Sequence, residues 1–147
     1  LLAVVSGDPD NEACAALLLA AHADSLHTHG KHELAVRLFA ATQPVLDRLK
    51  ADSGLAQFRT RYARALEAIE RPTDAARQFL LAARMYRRLG SRRDAALCCG
   101  AAALLMAGTG QHCRAVMLLG RALPVCWLPG SWRRRASMCW CWSRVHA

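Results

Sequence analysis

Residues 30–41 read GKHELAVRLFAA, residues 70–81 read ERPTDAARQFLL and residues 110–121 read GQHCRAVMLLGR. The three stretches align without a gap at a step of forty residues. The matching positions are Gly30, Glu70 and Gly110; Ala35, Ala75 and Ala115; and Phe39, Phe79 and Leu119. A fixed period of this length indicates repeated supersecondary units. The chain is therefore expected to contain about three and a half copies of one unit.

Apolar positions upstream of each stretch recur at steps of three and four residues. This spacing places the side chains on one face of a helix. The sets predicted to face the core are Ala15, Leu18, His22, Leu26 and His29; Leu55, Phe58, Tyr62, Leu66 and Ile69; and Ala95, Cys98, Ala102, Met106 and Thr109. The sequence lacks the alternating β-branched runs that would indicate strands. Each unit is predicted to be a helix, a tight turn and a return helix.

Turn and cap residues predict where the helices begin and end. The starting signals are Asp8 with Pro9, Lys31, Pro72 and Ser91; the ending signals are Gly30, Lys50, and Leu89 with Gly90. Pro44 and Pro124 stand at equivalent positions and are expected to kink the return helices near their ends.

One such hairpin cannot bury its own apolar face, so the units are expected to stack side by side. The sequence thus predicts an all-α fold, an α-solenoid of about seven antiparallel helices in a right-handed superhelix. Repeat 1 spans about 9–50, repeat 2 about 51–90, repeat 3 about 91–130, and a capping helix about 131–145. Because residue 1 is not a start methionine, the chain is expected to be a fragment of a longer protein.

The end of the chain differs in composition from the rest. All four Trp lie in the last 21 residues, beside the run RRR and no acidic residue. A frame-shifted or alternatively spliced end is one explanation. However, PGSWRRRA at 129–136 aligns with LGSRRDAA at 89–96 at the same forty-residue step. This alignment favours a native capping helix.

Composition limits the compartment and the partners. The seven cysteines are an odd number without a scaffold-like spacing, which indicates a reducing, intracellular compartment. The most apolar stretch, 95–108, is shorter than the ~20 residues that span a membrane. The net charge of +9 suggests an anionic partner, but eighteen Arg against two Lys also fits a codon bias.

The repeated positions resemble those of the tetratricopeptide-like (TPR-like) repeat family. Its units carry Gly at the hairpin turn, Ala five residues later and an aromatic residue four residues after that; Gly30, Ala35 and Phe39 match. A period of forty is similar to the long-helix subset of the family. The resemblance implies a protein-interaction scaffold that binds a peptide or partner helix on a concave face. This face is formed by the first helix of each unit, here called the outgoing helix.

Transferred to this chain, the resemblance predicts the residues of that groove. They are Ala20, Asp24, His27, Gln57, Thr60, Arg64, Glu67, Leu97, Gly100, Leu104, Trp140 and Arg144. The Lys and Asn with which some members hold a terminal carboxylate are replaced, so such a clamp is not expected. A groove that grades from polar to apolar suits an amphipathic helix, or a peptide with one apolar end. The alternative is that further repeats, or the rest of the protein, cover this face.

Arginines concentrate around one predicted helix junction, at Arg84, Arg87, Arg88, Arg92 and Arg93. Guanidinium groups there could hold phosphate or an acidic tail, although a solvated face is the alternative. Arg59, Arg61 and Arg64 add positive charge nearby in the sequence. Binding of nucleic acid or another polyanion is therefore the second functional hypothesis, with a steep salt dependence expected.

Other motifs do not form a convergent set. His22, His27, His29 and His32 are close in sequence but are predicted to lie on different faces, so no metal site is expected. Ser137 in RRAS resembles a kinase site and is a candidate for phosphorylation. No arrangement typical of catalysis is present, so neither an enzyme nor a cofactor is expected.

Overall fold

The computed structural model describes residues 9–49, 52–111 and 114–115. Their helices are α1 (Pro9–Thr28), α2 (His32–Leu49), α3 (Asp52–Ala68), α4 (Pro72–Arg88) and α5 (Arg92–Gly108). Arg114 and Ala115 are also helical. These described residues contain no strand, so the prediction of an all-α chain is confirmed for them.

Helix boundaries follow the proline and glycine signals of the sequence. Pro9 begins α1 and Pro72 begins α4, where a missing amide proton costs no helical hydrogen bond. Ser91 precedes α5, but its hydroxyl donates to the Asp94 carboxylate at 2.6 Å instead of capping a backbone amide. Pro44 lies inside α2.

Several predictions fall on parts of the chain that are not described. The predicted helices after α5 belong to these parts, apart from the short helical stretch at 114–115. The predicted residues concerned are Asp8, Leu119, Pro124, Ser137, Trp140 and Arg144.

Four turns between helices share one backbone geometry. Gly30, Glu70, Gly90 and Gly110 have φ of 77°, 57°, 77° and 80°, in the left-handed region that favours glycine. After each, the next amide donates to the carbonyl five residues back, at 2.8–3.0 Å; the pairs are Lys31–Leu26, Arg71–Leu66, Ser91–Tyr86 and Gln111–Met106. This is the Schellman arrangement of helix C-termini. The period of the sequence is thus also present in the backbone.

Each helix contacts the next one along the chain, and two apolar clusters form the core. The first joins α1, α2 and α3 around Phe39, whose ring lies 5.4 Å from that of Phe58 and 5.6 Å from that of Tyr62. The second joins α3, α4 and α5 and contains Phe79 and Cys98. Phe39 and Phe79, equivalent in sequence, are both buried in return helices.

The core face predicted for α1 is wrong except at Leu26, which is half-buried and packs against the first cluster. Leu18 is 73% exposed, His22 and His29 are exposed, and Ala15 is half-buried; the residues of α1 that are buried are Ala16, Ala20 and Ala23. In α3, the predicted stripe packs on the return helix α2 that precedes it. Among the described residues, α1 has no preceding return helix, so the same stripe lies in solvent. Thr109, also predicted to face the core, is exposed because it belongs to the turn after α5.

A buried polar network joins α2, α3 and α4. Arg59 is 8% exposed; its Nη1 donates to Gln78 Oε1 at 2.9 Å and its Nη2 to Asp47 Oδ1 at 2.5 Å. Gln78 Nε2 in turn donates to Gln43 Oε1 at 3.3 Å. Arg59, one of the three arginines that add positive charge near the arginine cluster in the sequence, is therefore held by Gln78 and Asp47 and is not exposed.

Candidate partner-binding surface

The three outgoing helices α1, α3 and α5 lie next to one another. Arg61 Nη1 of α3 lies 3.3 Å from Asp24 Oδ2 of α1. On the other side of α3, Thr60 Oγ1 lies 3.7 Å from Cys98 Sγ of α5. Side chains of α3 therefore reach both of the other helices on which groove residues were predicted.

Five of the predicted groove residues are exposed, and they all lie on α3 and α5. We call them the α3–α5 face: Gln57, Arg64, Glu67, Leu97 and Leu104. Leu97 and Leu104 stand forty residues after Gln57 and Arg64 in the sequence. The same helix positions thus carry polar side chains in α3 and leucines in α5.

The apolar end of the α3–α5 face is strongly exposed. Leu97 is 63% and Leu104 is 72% exposed, the latter among the highest values for large apolar residues in the described chain. Gly100 lies between them, one helical turn from each, and a Cβ atom added there would meet nothing within 4 Å. Two leucines with open space between them can receive an apolar side chain of a partner.

The predicted groove residues of α1 are less available. Ala20 is 8% exposed, and Asp24 is paired with Arg61. His27 is half-buried; its Nδ1 lies 2.9 Å from that of His32, and the ring centroids are 4.7 Å apart. Asp24 and His27 thus already have polar partners within the chain, and the fully exposed residues of the predicted groove are on α3 and α5.

The layer beneath the α3–α5 face is apolar and uncharged. Thr60 is half-buried, and its hydroxyl donates to the Ala56 carbonyl at 3.0 Å. The pKa of the Cys98 thiol is raised above its ordinary value, chiefly by burial; the Thr60 hydroxyl lowers it, and the nearby Cys99 and Asp94 raise it. Cys98 therefore stays a neutral thiol at physiological pH.

The predicted arginine cluster lies around the turn between α4 and α5. Arg84, Arg87, Arg88, Arg92 and Arg93 are all exposed. Arg87 Nη2 lies 3.4 Å from the buried Cys99 Sγ. Within the described residues, none of the five forms an ion pair. The cluster is thus a positively charged patch at the end of the second helical pair.

Among the described residues, the histidines and cysteines do not assemble into a ligand set. His29 Nδ1 lies 2.7 Å from the Ser25 carbonyl, and His22 is exposed. Across residues 9–49, 52–111 and 114–115, no three His, Cys, Asp or Glu side chains converge as metal ligands. Over the same residues, no helix combines the length and the apolar character needed to cross a bilayer.

Sequence reasoning missed a shallow cleft of about 560 Å³ between the α1–α2 turn and the end of α3. It is lined by Lys31, Glu33, Leu34, Ile69 and Glu70, among others. The repeated turn positions 30 and 70 were the only signal for it, because they bring equivalent turns of successive units together. Its charges are of both signs, and it is open to solvent.

The repeat geometry and the exposed α3–α5 face are features of this chain's own sequence and structure. Comparisons with protein-family models, with curated proteins and with solved structures found no match.

Proposed function

We propose that this chain is a helical-repeat module that binds a protein partner within a larger intracellular assembly. The full architecture in this proposal is the right-handed solenoid of about seven helices expected from the TPR-like resemblance. The observation that carries the proposal is the pair of exposed leucines, Leu97 and Leu104, beside the exposed charges of Arg64 and Glu67 on the neighbouring helix. The partner is an amphipathic helix, or an extended peptide with one apolar end.

The energetics favour the apolar end of the α3–α5 face as the anchor. Burying one leucine side chain contributes about 1.5–3 kcal/mol, so the two together contribute about 3–6 kcal/mol. Micromolar binding needs about 8 kcal/mol after the cost of association, so further contacts of the partner with this face must supply the rest. Arg64 and Glu67 contribute less to affinity, because they are solvated in the free protein. They set the direction and register of the partner through complementary charge.

An intracellular setting is supported by the cysteines. Cys14, Cys98 and Cys99 are free thiols, and no disulfide links them. Two of them are buried in the helix packing, where a small apolar side chain is needed.

The test begins with cross-linking and mass spectrometry on the full-length protein in its cell, to identify the partner. Binding of that partner is then measured with the double variant Arg64→Glu, Leu104→Asp. We expect affinity to fall at least about a hundredfold, because an apolar anchor is lost and a charge is reversed. Helicity by circular dichroism is expected to stay unchanged, since both side chains are exposed.

The matched control is Leu34→Asp with Arg37→Glu. These residues form an exposed leucine–arginine pair on α2, outside the α3–α5 face, and the chemical changes are the same. The control is expected to bind the partner like the unaltered chain. Equal losses in both double variants would contradict the proposal.

A second candidate function is binding of nucleic acid or another polyanion. It is supported by the five exposed arginines around the α4–α5 turn, which form no ion pair within the described residues. This function predicts an affinity that falls steeply with added salt and decreases when Arg88, Arg92 and Arg93 are changed to Gln. Binding through the leucines of the α3–α5 face predicts a shallow salt dependence instead.

A further inference from the structure

The outer side of α1 carries an uncharged stripe that is largely exposed. We call it the α1 outer face: Cys14, Ala15, Leu18 and His22. Leu18 is 73% exposed, although its neighbours on the other side of the helix, Ala16, Ala20 and Ala23, are buried in the core. The stripe is separate from the α3–α5 face.

Later outgoing helices show what covers this stripe. The positions forty residues after Leu18 and His22 are Phe58 and Tyr62, which are 3% and 8% exposed. Both rings pack on Phe39 of the preceding return helix α2, with centroids 5.4 and 5.6 Å apart. At the next step, Cys98 and Ala102 of α5 are buried in the cluster that contains Phe79 of α4. In both cases, the preceding return helix covers the stripe.

The sequence before α1 continues the pattern of a return helix. Residues 1–6, LLAVVS, stand forty residues before residues 41–46, ATQPVL, at the end of α2. Leu2 and Val5 thus align with Thr42 and Val45, both of which are buried against the core. Two of the three buried positions at the end of α2 thus have an apolar residue forty positions earlier, whereas the buried Leu46 aligns with Ser6.

We propose that the α1 outer face is a stacking surface for a return helix of the same forty-residue repeat, lying upstream in the same polypeptide. This helix covers α1 as α2 covers α3. In the observed equivalent of this contact, Phe39 of α2 packs on Phe58, which stands forty residues after Leu18. The stripe fits this occupant because the equivalent side chains of α3, Phe58 and Tyr62, make their contact with α2 through the apolar ring of Phe39.

The experiment supplies such a helix. A copy of residues 11–50 is inserted ahead of residue 11, so that the copied α2 leads into the original α1 in register. Hydrogen exchange of the original α1 amides is compared with that of the unextended chain. We expect exchange to slow at least about tenfold, because local opening must now break an additional packed interface.

Two variants make the test specific. Phe39→Asp in the added copy alone is expected to remove the protection of α1. Leu18→Asp in the original helix is expected to lower the midpoint of thermal unfolding by about 5 °C in the extended chain, and by much less in the unextended chain, where the side chain is exposed.

Three outcomes would overturn the proposal. The first is an added copy that stays unfolded although it is inserted in register, since the same residues form α1 and α2 in the unextended chain. The second is a folded copy that leaves the exchange of the original α1 unchanged. The third is an unextended chain that is a dimer by light scattering and becomes a monomer on Leu18→Asp but not on Leu34→Asp, which would assign the face to a second copy.

Discussion

The helices α1 and α3 hold equivalent places in successive repeat units, yet they bury different amounts of surface. The described buried residues of α1 are Ala16, Ala20 and Ala23. Those of α3 are Leu55, Ala56, Phe58, Arg59, Tyr62, Ala63, Ala65 and Leu66. The difference arises because α3 packs on both the preceding return helix and its own, whereas α1, among the described residues, has no preceding return helix. The number of side chains that a helix buries is therefore set by how many neighbouring helices it packs on.

The helices α1 and α3 are therefore expected to contribute unequally to the stability of the fold. A buried alanine contributes little hydrophobic free energy, whereas Phe58 and Tyr62 each bury an aromatic ring against Phe39. We infer that the first helical pair opens more easily than the second. Local stability that varies along the chain is typical of repeat proteins, in which each unit interacts only with its neighbours.

The largest expected difference between the two helices is at the positions of Phe58 and Leu18. Phe58→Ala should lower the free energy of unfolding by about 3–5 kcal/mol, because it leaves a cavity in the aromatic cluster. Leu18→Ala should change it by less than about 0.5 kcal/mol, because that side chain is already in solvent. Urea unfolding of the two variants provides the measurement. Similar losses would mean that the α1 outer face is covered in solution.

A smaller difference is expected where α3 carries Arg59 and α1 carries Leu19. Arg59→Leu, which places the α1 residue in α3, should cost about 1–3 kcal/mol, because Gln78 Oε1 and the Asp47 carboxylate both lose a donor. Arg61→Leu is the control. Its pair with Asp24 is exposed and should contribute at most about 1 kcal/mol.

Chemical denaturation of both variants decides whether the network is structural. If Arg59→Leu is as stable as the unaltered chain, the buried hydrogen bonds do not stabilise the packing of α2, α3 and α4. That result would mean that an apolar side chain at position 59 stabilises the fold as well as the arginine does.

The smallest effects are expected at the turns that close the two pairs. Glu70 has φ of 57°, a conformation that costs a residue with a Cβ atom, whereas Gly30 adopts φ of 77° without that cost. Glu70→Gly should therefore stabilise the second pair by about 0.5–1 kcal/mol. Gly30→Ala should destabilise the first pair by about 1 kcal/mol.

Thermal unfolding of the two turn variants gives opposite shifts of the midpoint if this reasoning holds. The environment of both positions is open: Glu70 is exposed, and a Cβ atom at Gly30 would meet nothing within 4 Å. Neither substitution changes packing contacts, so the shift of the midpoint reports the conformational preference of the backbone at that turn. Shifts of the same sign would contradict it.

Helix ends and turns could be predicted from the sequence because their causes are local. Proline has no amide proton to donate, so it is tolerated best in the first turn of a helix, where that proton has no helical acceptor. Glycine enters the left-handed region without a steric cost. Pro9, Pro72, Gly30 and Gly90 accordingly stand at observed boundaries. The exposed residues of the candidate site were also predictable, since the helical period places Gln57 with Arg64, and Leu97 with Leu104, away from the core.

The sequence could not predict contacts that depend on which helix lies opposite. His27 and Asp24 were expected in the groove, but His32 and Arg61 hold them. The pairing of Arg59 with Asp47 and Gln78 was not predictable either, because these partners come from helices whose approach is not encoded in its neighbours along the chain. Pairing energies of this kind are decided by distance and burial, not by local pattern.

By itself, the sequence determined the helical class, the forty-residue period and the places where helices begin and end, because hydrogen bonding and backbone sterics act over a few residues. The tertiary structure decided which face of each helix is buried. Leu18 and Phe58 hold the same position in the repeat, but the first is exposed and the second is in the core. Burial requires a neighbouring helix, and the pattern within one helix carries no information on whether that neighbour is present.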